Sequence, residues 1–381
     1  MSVSASPITE NTLPATASPR PGYWLFSAPL DLGAFLGSAL IALAALAYGA
    51  WAGLLTGDTP DWAWVPAVLL IDVAHVWSTA FRVYFVPKEL LRRPWLYTLV
   101  PLTGYILGVA LYTQGELTFW TVLAYLAVFH FVRQQYGWVM LYRARRGETD
   151  RLGSWLDSAT IYMATIYPLI YWHVHLPRGF WWFKEMDFKP LPVLAEQIAA
   201  PIYWVAMGLY VVRSLIAWWL RRPNPGKDIV VVTTAVCWYL GIVALNSDYA
   251  FTVTNVIIHG VPYIVLVYWY AVSRPAVSGT ALAAGEVPKR AQPPTLARRL
   301  RFLIVFLATI WLLAYAEELL WDRGIWHERS HLFGGGMDFG SARAWIVPLL
   351  ALPQWTHYVL DGFIWKRKSN PDLALVPPAQ S

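Results

Sequence analysis

An all-α bundle of about ten transmembrane helices is the fold class this sequence predicts, and three observations predict it. Charged residues make up 14% of the 381-residue chain and hydrophobic ones 57%, where a soluble domain carries roughly 25% charge. Ten apolar stretches each approach the roughly 20 residues needed to cross the hydrocarbon of a bilayer. Lysine and arginine alternate in abundance from one connection to the next, as membrane orientation requires. The 23 tryptophans and 21 tyrosines fit the same picture, since their rings, apolar at one end and polar at the other, favour the headgroup level.

Residues 1–28 read as a disordered tail. The first 22 are rich in Ser, Pro, Thr and Ala, with Arg20 their only basic residue, and they lack the basic start and apolar stretch of a signal peptide. The predicted spans are 30–53, 62–86, 95–113, 118–142, 155–173, 193–220, 229–246, 250–272, 301–321 and 344–365; the sixth is long enough to tilt. Between the eighth and ninth, residues 273–300 carry Pro, Gly, Ala and a basic run and read as a flexible cytoplasmic loop. Residues from both sides of that loop feed one candidate site, so 29–366 reads as a single transmembrane domain, followed by a tail over 367–381. The aromatic, glycine-containing connections 176–192 and 322–341 are placed to cover the outer face as lids.

Orientation follows from the basic residues. With the N-terminus inside, the inner segments hold 22 Lys and Arg and the outer ones six, with Arg133 alone inside a span. Such a bias sets both termini on the cytoplasmic side, in a bacterial-type inner or plasma membrane. The net charge of +6 is spread over these short clusters, which excludes nucleic acid as a partner and leaves membrane lipids and an apolar small molecule. Cys237, the only cysteine, lies in the apolar run 230–245, so neither an intrachain disulfide nor a thiolate metal cage can form.

Four of the eight histidines fall inside spans: His75, His130, His259 and His357. All four spans run from outside to inside. Counting from their outer ends places the four imidazoles in one slab about 6 Å thick, near the bilayer centre. Each has a polar residue one helical turn away, where side chains share a face: Asp72 before His75, Gln134 after His130, Asn255 before His259 and Asp361 after His357. Ionisable groups at that depth are costly and mark functional sites. The pattern predicts a metal centre with the four histidines as ligands and Gln134 and Asn255 supporting them from behind, because a ligating imidazole usually donates its other N–H to a carboxylate or amide oxygen. Asp72, Asp361 and Arg133 are the candidate catalytic groups, with Arg133 positioned to hold one of the carboxylates. Glu317 and Glu318 are candidates for a further acid. Imidazole-rich ligation suits a divalent transition metal, iron foremost, with zinc or copper as alternatives, over calcium or magnesium. His173, His175, His327 and His331, near the outer ends, form a candidate second group.

The blocks Ile71-Asp-Val-Ala-His75, Phe129-His-Phe131, Ile257-Ile-His259 and Pro353-Gln-Trp-Thr-His357-Tyr-Val-Leu-Asp361 resemble, in order and context, those of the Brp/Blh family of membrane β-carotene 15,15′-dioxygenases. The resemblance implies four ligand histidines in transmembrane helices, bound ferrous iron and an oxygenase acting on an apolar substrate. The chain lacks the Pro-His-Gly-Ala-x-Asp block of that family, and it has Tyr263 where the family carries a second histidine. Two other classes fit the same intramembrane residues: a proton-coupled transporter using the His and Asp side chains, and a scaffold in which they only lock helices together.

Overall fold

The computed structural model describes residues 22–273, 295–366 and 370. Residues 1–21, most of the 273–300 loop and nearly all of the 367–381 tail therefore lie outside the described residues. Among those described, every regular element is helical.

We number the long helices α1 (Ala28–Trp51), α2 (Asp61–Arg82), α3 (Pro94–Gln114), α4 (Glu116–Arg146), α5 (Arg151–Val174), α6 (Val193–Trp219), α7 (Pro225–Ala244), α8 (Asp248–Ser273) and α9 (Leu296–Trp326). Two shorter ones follow, α10 (Arg343–Leu350) and α11 (Leu352–Ile364). Seven of these, α1, α2, α3 and α6 to α9, are long and apolar enough to cross a membrane, against ten predicted segments. The other three segments are helical too, but α4 and α5 carry polar side chains along their middles, and the last segment is broken at Ala351 into halves of eight and 13 residues. The protein is an integral membrane protein, and its apolar side chains face outward to match: α6 alone exposes Ile198, Ile202, Trp204, Val205, Leu209 and Val212.

Local chemistry sets the helix ends. The Asp150 carboxylate caps α5 by accepting from the Gly153 N–H at 2.8 Å, and Ser247 caps α8 through the Ala250 N–H; each satisfies a backbone donor that the first turn leaves without a partner. Gly147, at φ +75°, ends α4 in the left-handed conformation that glycine adopts without a Cβ penalty. Five stretches widen into π-helix, Leu32–Gly37, Val65–Val73, Tyr239–Ala244, Thr252–Val256 and Asp322–Trp326. Two of them carry Asp72 and Asn255.

Helix α8 is the hub. Of the residues in its most apolar stretch 83% are buried, against 17% in α3 and 22% in α6 and α9. Packing joins α2 to α8, α8 to α4, α4 to α11 and α11 back to α2, an inner ring of four helices wrapped by the rest. Gly260 permits the first of these contacts, since a Cβ there would meet the Ile71 side chain at 2.5 Å and its carbonyl oxygen at 3.2 Å. The backbones of α2 and α8 are thereby drawn together one residue beyond His259.

At one end of the bundle a buried ion network ties α4, α5, α6 and α7. Asp157, fully buried, accepts from Arg143, from Arg213 at 2.7 Å and from Lys227 at 3.0 Å, and Glu148 bridges Arg143 and Lys227. These basic residues belong to the inner clusters of the charge pattern, so part of the positive-inside signal is neutralised inside the fold.

Candidate metal centre

Each helix of the inner ring contributes one histidine: His75 from α2, His259 from α8, His130 from α4 and His357 from α11. Going around, ring centroids are 4.7, 5.2, 4.5 and 4.8 Å apart, and the His75–His130 diagonal is 6.4 Å. The four imidazoles form a near-square, none more than 2% exposed.

All four turn their Nε2 atoms inward. His75 Nε2 is 3.1 Å from His259 Nε2, and His130 Nε2 is 3.1 Å from His357 Nε2. Ring nitrogens of His75, His130 and His357 all lie within 4.8 Å of one another, the only group of three or more such side chains among the described residues that could hold a metal ion. His259 joins through His75.

The Nδ1 atoms face outward to different partners. Asp72 lies 3.5 Å from that of His75, Asp361 lies 3.6 Å from that of His130, and Thr79 Oγ1 is 2.7 Å from that of His357. The Thr79 hydroxyl also meets the Tyr263 hydroxyl at 3.2 Å. Neither His75 Nδ1 nor His259 Nδ1 has a hydrogen-bond partner, and the His259 ring is stacked on the Phe131 ring at 3.5 Å and 9°.

This arrangement fits a divalent metal on three counts. A carboxylate beside Nδ1 favours the Nδ1–H tautomer and so turns an Nε2 lone pair toward the centre. Two imidazole nitrogens bound at about 2.0–2.1 Å to one ion, 90–110° apart, stand about 2.9–3.4 Å from each other, and both close pairs fall in that range. Asp72 and Asp361 sit behind opposite corners, so two carboxylates stand ready to balance a doubly charged ion. An oxygen of each, Oδ1, is buried and lacks a hydrogen-bond partner, a costly state without a compensating charge.

Several assignments change. Arg133 is exposed; its guanidinium donates to the Tyr162 hydroxyl and lies 4.7 Å over the Tyr136 ring, so it reaches neither Asp72 nor Asp361. Its helical position, 60° round from His130, suffices to aim a long side chain at α5. Asp361, paired by sequence with His357, serves His130 on the neighbouring helix. Gln134 is hydrogen-bonded elsewhere: its amide nitrogen donates to the His259 carbonyl at 2.9 Å. Asn255 donates to the Phe251 carbonyl and Thr254 hydroxyl, not to His259.

Glu317 is buried under donors from Trp77, Trp321 and Gln354, a clamp between α9, α2 and α11, and Glu318 turns elsewhere. The second histidine group does not assemble: His173 meets Tyr125 and the Leu169 carbonyl, His175 the Tyr171 carbonyl, and His331 lies 2.8 Å from Asp61.

Thr79 is the residue that sequence reasoning passed over. It stands four residues after His75 and so shares its face, a signal that was present. Replacing Asp72 with asparagine is expected to lower metal affinity about 10- to 100-fold, the usual effect of losing a carboxylate behind a ligand histidine, as measured by competition against a chromophoric chelator. An unchanged affinity would remove Asp72 from the site.

No protein-family model, curated protein or solved structure matches this chain. The site must therefore be read from its own chemistry.

A cavity of about 310 Å³ runs between α2, α3, α10 and α11 and reaches Thr79 and His357 at its inner end. Its other walls are Val76, Trp77, Ala80, Tyr84, Pro101, Leu349, Leu352, Pro353 and Thr356, nearly all apolar, and α3 on its outer side is the least buried of the spanning helices. A second cavity, of about 810 Å³, opens at the end where α2 and α8 begin and reaches down to Asp72, Asn255 and Tyr358. Trp181, Trp182, Phe183, Trp326 and Phe333, from the two connections expected to act as lids, line it.

Proposed function

We propose that the protein is a metal-dependent membrane oxygenase or oxidoreductase acting on a lipid-soluble substrate, isoprenoid or lipid, at the four-histidine ring. The observation that supports the reading is the cluster of His75, His130 and His357, with His259 Nε2 3.1 Å from His75 Nε2 and two carboxylates beside it, next to an apolar cavity lined by His357. In this reading His75, His130, His259 and His357 hold the ion, iron foremost, in keeping with the resemblance of the four blocks to the Brp/Blh dioxygenases. Bound iron would supply the redox chemistry for activating dioxygen.

The chain's own residues do the remaining work. Asp72 and Asp361 orient His75 and His130 and offset the charge of the ion. Thr79 fixes His357 at the wall where substrate arrives. The apolar walls admit a hydrocarbon chain from the bilayer and exclude water, while Phe131 and Tyr358 cover the rings of His259 and His130. The topology that accompanies this reading has ten crossings with both termini cytoplasmic, supported by the basic-residue asymmetry and by the helices found at all ten predicted segments.

The test is anaerobic reconstitution with ferrous iron, addition of a membrane lipid extract, and exposure to ¹⁸O₂. Label is expected in apolar products, dependent on His357. Absence of label from every lipid fraction, with flux across proteoliposomes driven by a pH gradient, would replace the oxygenase with the proton-coupled transporter. Absence of both, with histidine variants that only lose thermal stability, would leave the scaffold.

A further inference from the structure

The larger cavity has a character that the lipid-soluble substrate does not explain. Its lining carries Asp58, Asp61, Asp248, Glu318 and Glu328, with Asp322 and Asp72 deeper, and Arg329, held by Asp61 and Glu328, is the only basic residue among the described residues that line it. An apolar molecule gains nothing from such a lining. A cluster of acids is common on any surface, so the buried oxygens decide the matter.

Asn255, 1% exposed, lines the floor with its Oδ1 lacking any hydrogen-bond partner, and both of its amide donor contacts are spent on Phe251 and Thr254. Asp322, 2% exposed, leaves Oδ2 without a partner on the same wall, and Gln354 leaves Oε1. Each of these atoms is an acceptor, and buried acceptors without donors are costly. Water or a hydrated cation can satisfy such acceptors, and the carboxylates around them favour the cation. The aromatic walls, Trp64, Trp321 and Trp326 among them, lower the dielectric and focus the field of the acids inward.

We propose that this vestibule is the route by which a hydrated divalent metal ion reaches the histidine ring from the aqueous phase. The acids at the mouth gather the ion, and the oxygens of Asn255 and Asp72 take the place of its last waters before the imidazoles bind it. The proposal rests on the ring being a metal centre. It separates two doorways, an acidic one for the ion and an apolar one for the substrate.

The experiment follows uptake of Co²⁺ by metal-stripped, detergent-purified full-length protein, using the absorbance of the histidine-bound ion in a stopped-flow instrument. The variant carries Asp58→Asn, Glu318→Gln and Glu328→Gln together. Asp58 and Glu328 are exposed and Glu318 is half-buried, and only Glu328 has an ion-pair partner, Arg329. At low ionic strength loading is expected to slow about 10-fold, within the range that electrostatic steering covers, with final stoichiometry unchanged. The two rates should converge at about 1 M salt, where the Debye length falls to about 3 Å. Asn255→Leu is expected to slow uptake at both ionic strengths, because it acts after capture. Equal rates in the triple variant and the parent at low salt, with full stoichiometry in both, would overturn the vestibule and leave the metal centre standing. A parent protein that takes up no Co²⁺ would overturn both. Should the triple variant lose its monodisperse fold, a loading rate in the parent that does not fall with salt overturns the route by itself.

Discussion

Changing His75 or His130 to alanine is expected to lower metal affinity by a factor on the order of 10², and the double variant is expected to leave the purified protein with less than about 0.1 equivalent of metal. Zinc binding to small structural sites amounts to about 10–16 kcal/mol, so each of four ligands carries about 3 kcal/mol, or two decades. These two histidines should weigh more than His259, because a carboxylate, of Asp72 or of Asp361, lies 3.5–3.6 Å from the outer nitrogen of each. Elemental analysis of the purified variants gives the occupancy, and the thermal midpoint gives an independent check. A ligand that binds only the folded state raises the midpoint with its concentration, so metal should raise it for the parent and not for the double variant. Equal metal content in the parent, the double variant and a variant lacking all four histidines would show that the ring holds no ion.

The second large effect concerns folding alone. Asp157→Ala removes the acceptor that Arg143, Arg213 and Lys227 share, and two of those cations, Arg143 and Lys227, are themselves buried. Breaking a buried charge pair from one side costs about 3–5 kcal/mol, because the partner is left in a poorly solvating interior. Glu148 remains near both cations and offsets part of that loss, so about 3 kcal/mol is the expected figure. It is read as loss of stability to denaturant in detergent, with metal affinity unaltered in the fraction that stays folded. A loss under about 0.5 kcal/mol would mean that the network is solvated in the bilayer protein.

Much of the fold was legible because lipid makes simple demands. Hydropathy located the helices, and a common depth on four parallel spans singled out the histidines that the structure brings together. The partners of those histidines were less legible. Asp361 and Gln134 were paired by helical spacing with His357 and His130 on their own helices, yet one serves His130 across the α4–α11 contact and the other the His259 carbonyl across α4–α8. Spacing along one helix describes neighbours on that helix only. It says nothing of which helix packs alongside, and in a four-helix ring most of the close neighbours are across a contact. Arg133 failed for a related reason, since a long side chain can leave the face its Cα occupies. The two cavities were out of reach altogether, because a void is a property of packing.

The widened turns of α2 and α8 carry a consequence for how this protein tolerates change in length. A π-helical turn closes with one more residue than an α-helical turn, so Val65–Val73 and Thr252–Val256 each act as slack in the chain just before a histidine of the ring. Losing a residue from either stretch would let it close as an α-helical turn, so the segments before and after would keep their relative aim, where the same loss from a regular α-helix would turn one against the other by about 100°. The mouth of the vestibule and the ring beneath it thus stay aligned through a one-residue loss in either stretch.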